Sequence, residues 1–309
     1  MSKILVIGHR NPDTDTDAIG AAIGLASLEA ALGSDVEAVA LGRPSLETAF
    51  ALEHFGLDAP RVIETAAPSD VMLVDHNERQ QSVADITDVT VLKVIDHHRI
   101  ANFETAAPLY VRVEPVGCTC TILTRMYAEN GVDIPRAEAG IMLSAIISDT
   151  LLFNSPTCTD ADRAAAAELA AIAGVDVDEY GDALLRAGTA LGDDPASTII
   201  GRDSKSFAMG PKTVRVSQLT TVDSAEVLDR RDEFFAAMTA EKDAAGYDLY
   251  LLLITDVIAC DSDLLVVGEP VTAVEQALGV TVADGHAFGK GVVSRKKQIV
   301  PQLTEVLDV

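Results

Sequence analysis

The sequence predicts an α/β protein in two parts: a larger N-terminal domain with a mostly parallel, doubly wound sheet, then a smaller α/β C-terminal domain. Three observations carry this. Short apolar runs alternate with stretches of 3.6-residue periodicity through residues 1–190, the pattern of successive βα units. Gly192-Asp193-Asp194-Pro195 then punctuates an otherwise helical region. At 309 residues with 48% hydrophobic side chains, the chain can bury two cores of ordinary size. The expected domains are 1–190 and 196–309, joined by a linker at 191–195.

Strands are expected at 3–7, 36–41, 71–74 and 91–95, where apolar runs are too short for helices and read as strands buried on both faces. Helices are expected at 18–31, 46–55, 119–129, 137–148 and 160–171, where apolar residues recur at helical spacing. Beyond the linker, strand-like segments fall at 213–217, 247–255 and 263–267. One long amphipathic helix is expected at 224–244 and another at the end of the chain.

Composition excludes several classes. The formal charge is −25 and the isoelectric point near 4.4, so the surface field opposes a polynucleotide backbone, and no nucleic-acid partner is expected. Apolar runs such as 249–254 fall far short of the roughly 20 residues that a membrane span needs. The amino end, MSKILVIGH, has neither a signal-length apolar stretch nor a small-residue cleavage site, which predicts a cytoplasmic protein. Cys118, Cys120, Cys158 and Cys260 fit neither a zinc ribbon nor a redox C-x-x-C motif and are expected as buried thiols.

Five segments carry candidate chemistry. In the first, Gly8-His9-Arg10-Asn11-Pro12-Asp13-Thr14-Asp15 follows a buried strand, where open α/β sheets place their ligands. His9, Asp13 and Asp15 offer an imidazole and two carboxylates, a mixture suited to Mn²⁺ or Co²⁺, although Asn-Pro-Asp is also a common turn. The second, Val71–Val74 followed by Asp75, repeats the pattern of a strand ending in an acid; the ordinary reading is a turn former. In the third, Asp96-His97-His98 places two of the chain's six histidines side by side after another strand. On an extended backbone neighbouring side chains point to opposite sides, so one histidine is expected to meet metal and the other substrate. The fourth, Asp149, closes an apolar helix, where the macrodipole disfavours a carboxylate unless a cation is near. The fifth is cationic: Lys205, and Arg295-Lys296-Lys297, an island suited to phosphate oxygens or simply a solvated basic helix start.

Taken together, GHRNPDTD, VDHNE, DHH, SAIISDTLLFNSPTCT and SRKKQ, in that order, resemble the family II inorganic pyrophosphatases of the DHH superfamily, over essentially the whole chain. The resemblance implies a manganese-dependent inorganic diphosphatase. Its active site would lie in the cleft between a DHH domain and a smaller DHHA2-type domain. It would hydrolyse pyrophosphate to two orthophosphates with a hydroxide bridging two metals, about 3.5–4 Å apart. Two Mn²⁺ (or Co²⁺) per subunit are implied, with a further Mg²⁺ arriving on the substrate. His9 and Asp13 would hold one metal and Asp15, His97 and Asp149 the other, with Asp75 bridging both. His98 would serve the leaving phosphate, and Lys205, Arg295 and Lys296 would bind its oxygens. Asp96 would steady a histidine. A homodimer is implied as well.

The chain departs from this pattern at Asp17, where the family usually carries an apolar residue; a helix cap and an outer group of the metal site are both open there. Only a short loop precedes VDHNE, so nucleotide regulation is not expected. The rivals are a DHH phosphodiesterase on short nucleotides, a non-catalytic metal or phosphate sensor, and an exopolyphosphatase. The first is disfavoured by 4% aromatic residues and no Trp, which leave few stacking platforms, and by a second-domain stretch, GKGVVSRKK, that lacks the Gly-rich, His-ended block of those relatives.

Overall fold

The computed structural model describes residues 3–10, 13–192 and 194–308, with Asp13 and Thr14 described by their backbone alone. It divides into two compact units, Met1–Gly188 and Thr189–Val309.

The first unit runs β1 (Ile4–Ile7), β2 (Asp13–Thr14), α1 (Thr16–Ala31), β3 (Val36–Ala40), β4 (Arg43–Pro44), α2 (Leu46–Phe55), β5 (Arg61–Val62), β6 (Val71–Val74), β7 (Val91–Asp96) and β8 (Tyr110–Val113). Four helices follow: α3 (Thr119–Asn130), α4 (Arg136–Thr150), α5 (Asp160–Ala173) and α6 (Val177–Thr189). Six strands form one sheet in the order β5-β3-β1-β6-β7-β8, and every pairing in it is parallel. The chain winds from β1 outward to β5, then returns to β1's other side and winds out to β8. The reversal at β1 makes the carboxyl ends of β1, β6 and β7 the ligand crevice of an open sheet.

Leu5, Ile7, Val39, Leu73 and Val94 pack on one face of this sheet with Ile63, Ala66 and Val83 from the connecting loops. Helix α1 packs on β1 and β3 and against α3 and α4. Gly24 sets how closely α4 can approach: a Cβ there would meet Met142 Sδ at 2.9 Å.

The second unit runs α7 (Ala196–Arg202), β9 (Ser204–Met209), β10 (Lys212–Thr221), α8 (Ser224–Asp229), α9 (Arg231–Ala245), β11 (Leu249–Asp256), β12 (Asp261–Gly268), α10 (Val271–Leu278), β13 (His286–Gly289) and α11 (Val300–Leu307). A π-helical turn, Arg295–Ile299, leads into α11. Its sheet has the order β13-β12-β11-β10-β9; β10 and β11 are parallel and the other pairs antiparallel. Alternation along β11 sends Leu249, Leu251 and Leu253 into one core with Ile299, Leu303 and Leu307, and Tyr250, Leu252 and Ile254 into another with Ile199, Phe234 and Met238.

Three sequence expectations need correction. The helix expected at 224–244 is two helices, α8 and α9, broken at Arg230 (φ −99°, ψ 13°), whose guanidinium binds the Gly192 and Asp194 carbonyls and Glu233. Of the four thiols, all free, Cys118 and Cys120 are buried, but Cys158 is half-buried and Cys260 is exposed in the turn between β11 and β12. His97 and His98 do not point apart; their rings meet edge to face at 4.2 Å, because β7 ends at Asp96 and the alternation of the pleat ends with it. Among the described residues no helix is long and apolar enough to cross a membrane.

Candidate metal centre

Three strand ends build the site. After β1, Gly8 lies against the start of α1 so closely that a Cβ would fall 2.4 Å from the Ala18 carbonyl oxygen, and this brings His9 beneath the helix at 8% exposure. After β6, Asp75 adopts a left-handed backbone (φ 59°), a conformation that Asp tolerates better than most residues, while its N–H still donates to the Ile95 carbonyl. After β7, His97 donates Nδ1–H to the Val116 carbonyl at 3.1 Å, which fixes the tautomer and leaves Nε2 facing the acids.

Asp75 is common to two groups of ligand atoms. Its Oδ2 lies 3.3 Å from His9 Nε2, which also meets Asp15 Oδ2 at 2.8 Å. Its Oδ1 lies 3.4 Å from His97 Nε2, which has Asp149 Oδ2 at 3.9 Å and Asp17 Oδ2 at 4.0 Å. In each of the sets His9–Asp15–Asp75, Asp75–His97–His98 and Asp17–His97–Asp149, the ligand atoms lie within 4.8 Å of one another. Asp15 thus stands with His9, and it also caps α1 by accepting from Ala18 N at 3.0 Å. Asp17 stands with His97 and Asp149. Asp13, named from the sequence, has its side chain outside the described residues.

Asp149 occupies the last turn of α4, which ends in three successive left-handed residues, Leu151, Leu152 and Phe153 (φ 48°, 49° and 67°). Such a run is unfavourable for residues with a Cβ, at roughly 1–2 kcal/mol each, so the surrounding packing must impose it.

The electrostatics are those of a cation site. Burial opposes charge on His9, but hydrogen bonds and attraction from Asp15 and Asp75 raise its imidazole to about 10. For His97 burial is likewise outweighed, by Asp75 and Asp17, giving about 9. Burial would raise Asp75, yet the two histidines hold it well below the carboxylate range. Asp17 is pushed up to about 6, chiefly by burial and then by the charge of Asp75; burial, then Asp17, Asp75 and Asp15, raise Asp149 well above its ordinary value. Protons on His9 and His97 here stand where divalent ions would relieve the same carboxylates. Two imidazole nitrogens converging with four described carboxylates around one shared acid fit a pair of Mn²⁺ ions in donor type.

Comparison with known proteins gives the family. Residues 3–146 match the model of the DHH family N-terminal domain, and residues 182–306 match the DHHA2 domain. A probable manganese-dependent inorganic pyrophosphatase of Enterococcus faecalis is 58% identical over all of both chains, and the manganese-dependent inorganic pyrophosphatase of Bacillus subtilis is 53% identical over 99% of each. The crystal structure of a putative family II inorganic pyrophosphatase of Methanococcus jannaschii is similar at TM-score 0.63 and 36% identity, covering 98% of this chain and 99% of that one. The chain belongs to the family II, manganese-dependent inorganic pyrophosphatases of the DHH superfamily.

Within its DHH domain, a polar layer backs the cluster: Asp96 steadies a histidine, as the resemblance implied, and Asn77 and Thr119 add contacts that the sequence did not reveal. Asp96 Oδ1 accepts both the backbone N–H of His98 (3.0 Å) and its ring Nδ1–H (2.9 Å), and Asn77 Nδ2 donates to Asp96 Oδ2 (2.6 Å) and to the Arg99 carbonyl (2.9 Å). Burial would raise Asp96, but His98 and Asn77 hold it below its ordinary value. That hydrogen bond raises His98, whose side chain is half exposed. Thr119 Oγ1 donates to Asp75 Oδ1 at 3.2 Å.

In the DHHA2 domain the three expected phosphate ligands differ in kind. Lys205 on β9 and Lys296 in the π-helical turn are exposed, and among the described residues neither enters an ion pair. Arg295 is 9% exposed and already engaged: its guanidinium donates to the Asp203 carbonyl (2.8 Å), the Asp203 carboxylate (2.7 Å) and the Val216 carbonyl (3.3 Å).

Proposed function

We propose that this chain hydrolyses inorganic pyrophosphate to two orthophosphates, with two Mn²⁺ ions held by His9, Asp13, Asp15, Asp75, His97 and Asp149. The observation that carries the proposal is Asp75, whose two oxygens face two different histidines, so that one carboxylate serves two neighbouring ligand sets. When bound, such a pair of ions acidifies a water and neutralises the charge of a phosphoanhydride.

The protein's own groups do the rest. The Val116 carbonyl holds His97 in the tautomer that offers Nε2, and Thr119 fixes one oxygen of Asp75. Asp96 takes Nδ1–H of His98, so the proton delivered to the leaving phosphate comes from Nε2. Lys205 and Lys296 bind substrate oxygens as point charges, and Arg295 joins them by exchanging an Asp203 contact for phosphate. Pyrophosphate arrives carrying its own Mg²⁺.

The test is phosphate release by metal-stripped protein reloaded with Mn²⁺, Co²⁺, Zn²⁺ or Mg²⁺, on pyrophosphate, polyphosphate and a dinucleotide. Fast release from pyrophosphate with Mn²⁺ or Co²⁺, and none from the dinucleotide, is expected. Release from the dinucleotide alone, or from no substrate despite bound ions, overturns the reading.

A further inference from the structure

Asp17 has no part in the assignment above, yet it is 1% exposed and faces His97. Its oxygens accept the backbone N–H groups of Thr119 (2.7 Å) and Cys120 (3.3 Å) at the start of α3. Capping accounts for these two bonds. It does not account for Oδ2, the oxygen that accepts from Thr119, also facing a proposed metal-ligand histidine.

Asp17 Oδ2 is 4.0 Å from His97 Nε2, the ring nitrogen left free by the Val116 bond, and Asp17, His97 and Asp149 each offer a ligand atom within 4.8 Å of the others. Around an octahedral ion with bonds of about 2.1 Å, neighbouring ligand atoms are about 3.0 Å apart and opposite ones about 4.2 Å. His97 Nε2 is 3.4 Å from Asp75, 3.9 Å from Asp149 and 4.0 Å from Asp17, and since only one of these can stand opposite the imidazole, an ion seated among them would draw the others in by up to about 1 Å. Without a cation, three carboxylates around one imidazole repel one another, and two N–H donors at a helix start offset only part of that. A carboxylate oxygen has lone pairs enough to keep an N–H bond while binding an ion.

We propose that Asp17 is a further ligand of the ion held by His97, Asp149 and Asp75, set in position by the start of α3. The inference rests on the metal reading above. It gives that position one more hard, anionic donor, which tightens it for Mn²⁺ and couples the ion to the start of α3 through the Thr119 and Cys120 N–H bonds to Asp17.

The experiment is Mn²⁺ uptake by metal-stripped protein, measured by competition with a chromophoric chelator, for wild type, Asp17→Asn and Asp17→Ser, with thermal melting of each form with and without Mn²⁺. Both variants keep an acceptor for the Thr119 N–H but remove the charge, so whichever folds answers the question. Wild type is expected to take up two ions. The variants are expected to take up one ion unchanged and the second about tenfold or more weaker, with a smaller Mn²⁺-induced rise in Tm. Two ions at wild-type affinity in a folded variant overturn the Asp17 assignment and leave the metal site standing. Fewer than two ions in wild type overturns the metal reading, and this inference with it.

Discussion

Asp96 grips His98 twice through one oxygen, accepting its backbone N–H at 3.0 Å and its ring Nδ1–H at 2.9 Å. The other oxygen is taken by Asn77. In Asp96→Asn the amide nitrogen must face a donor whichever way it turns, leaving a bond unmade at a cost of about 1–3 kcal/mol. Because the bond at risk orients the proposed proton donor, kcat is expected to fall by roughly 10–100-fold while Mn²⁺ content stays at the wild-type level. Loss of metal in parallel with activity would place Asp96 with the ligands instead.

Asp75→Asn separates charge from shape. The left-handed backbone at this position suits Asn as well as Asp, so the substitution adds no backbone strain there. It removes the one carboxylate that faces both His9 and His97. Both Mn²⁺ ions are expected to bind more weakly, and turnover to fall by orders of magnitude. Near-normal turnover with two tightly bound ions would sink the shared-ligand role.

Much of this site was legible because the sheet is parallel and buried. An apolar run that stops at His9, Asp75 or Asp96 marks a strand's carboxyl end, and three such ends lie together at the reversal around β1. What escaped was whatever depends on the chain leaving regular structure or meeting itself at long range. The contact of His97 with His98 follows from the end of the pleat, which periodicity cannot date to the residue. Asp17 meets Thr119 across 102 positions of sequence, and no local pattern carries that pairing. The expected grip of Arg295 was legible as charge, but its bonds to Asp203 and Val216 depend on β9 and β10 being placed beside the π-helical turn.

That difference between neighbouring cations gives a paired prediction. Lys296 is exposed, so Lys296→Ala is expected to raise KM for pyrophosphate several-fold or more, with Mn²⁺ content and Tm unchanged. Arg295→Ala removes the guanidinium's bonds to Asp203 and the Val216 carbonyl and should lower Tm as well as activity, by roughly 1–3 kcal/mol of stability. Identical Tm values for the two variants would show that the Arg295 bonds contribute nothing to the fold.

Asp162 joins α5 to the segment that carries the His97 anchor. Its Oδ2 accepts from Gly117 N (2.9 Å) and from Thr159 N and Oγ1 (both 2.7 Å), and its Oδ1 accepts from Thr121 Oγ1 (2.6 Å). Burial would raise this carboxyl, but the four donors hold it below its ordinary value. A carboxylate with a depressed folded-state pKa contributes stability that is present above the unfolded value, about 3.9, and is lost as pH falls through the folded value. Asp162→Asn should therefore lower Tm at pH 7, by an amount corresponding to about 1–3 kcal/mol, and the gap from wild type should narrow as pH drops below about 4. Gly117 is next to Val116, whose carbonyl fixes His97, so the same variant should also bind Mn²⁺ more weakly even though Asp162 touches no proposed ligand. Melting at pH 7 and pH 3.5 together with Mn²⁺ titration decides this: a gap that is constant with pH would mean that the charge of Asp162 does not stabilise the fold, and unchanged Mn²⁺ affinity would mean that His97 is held without it.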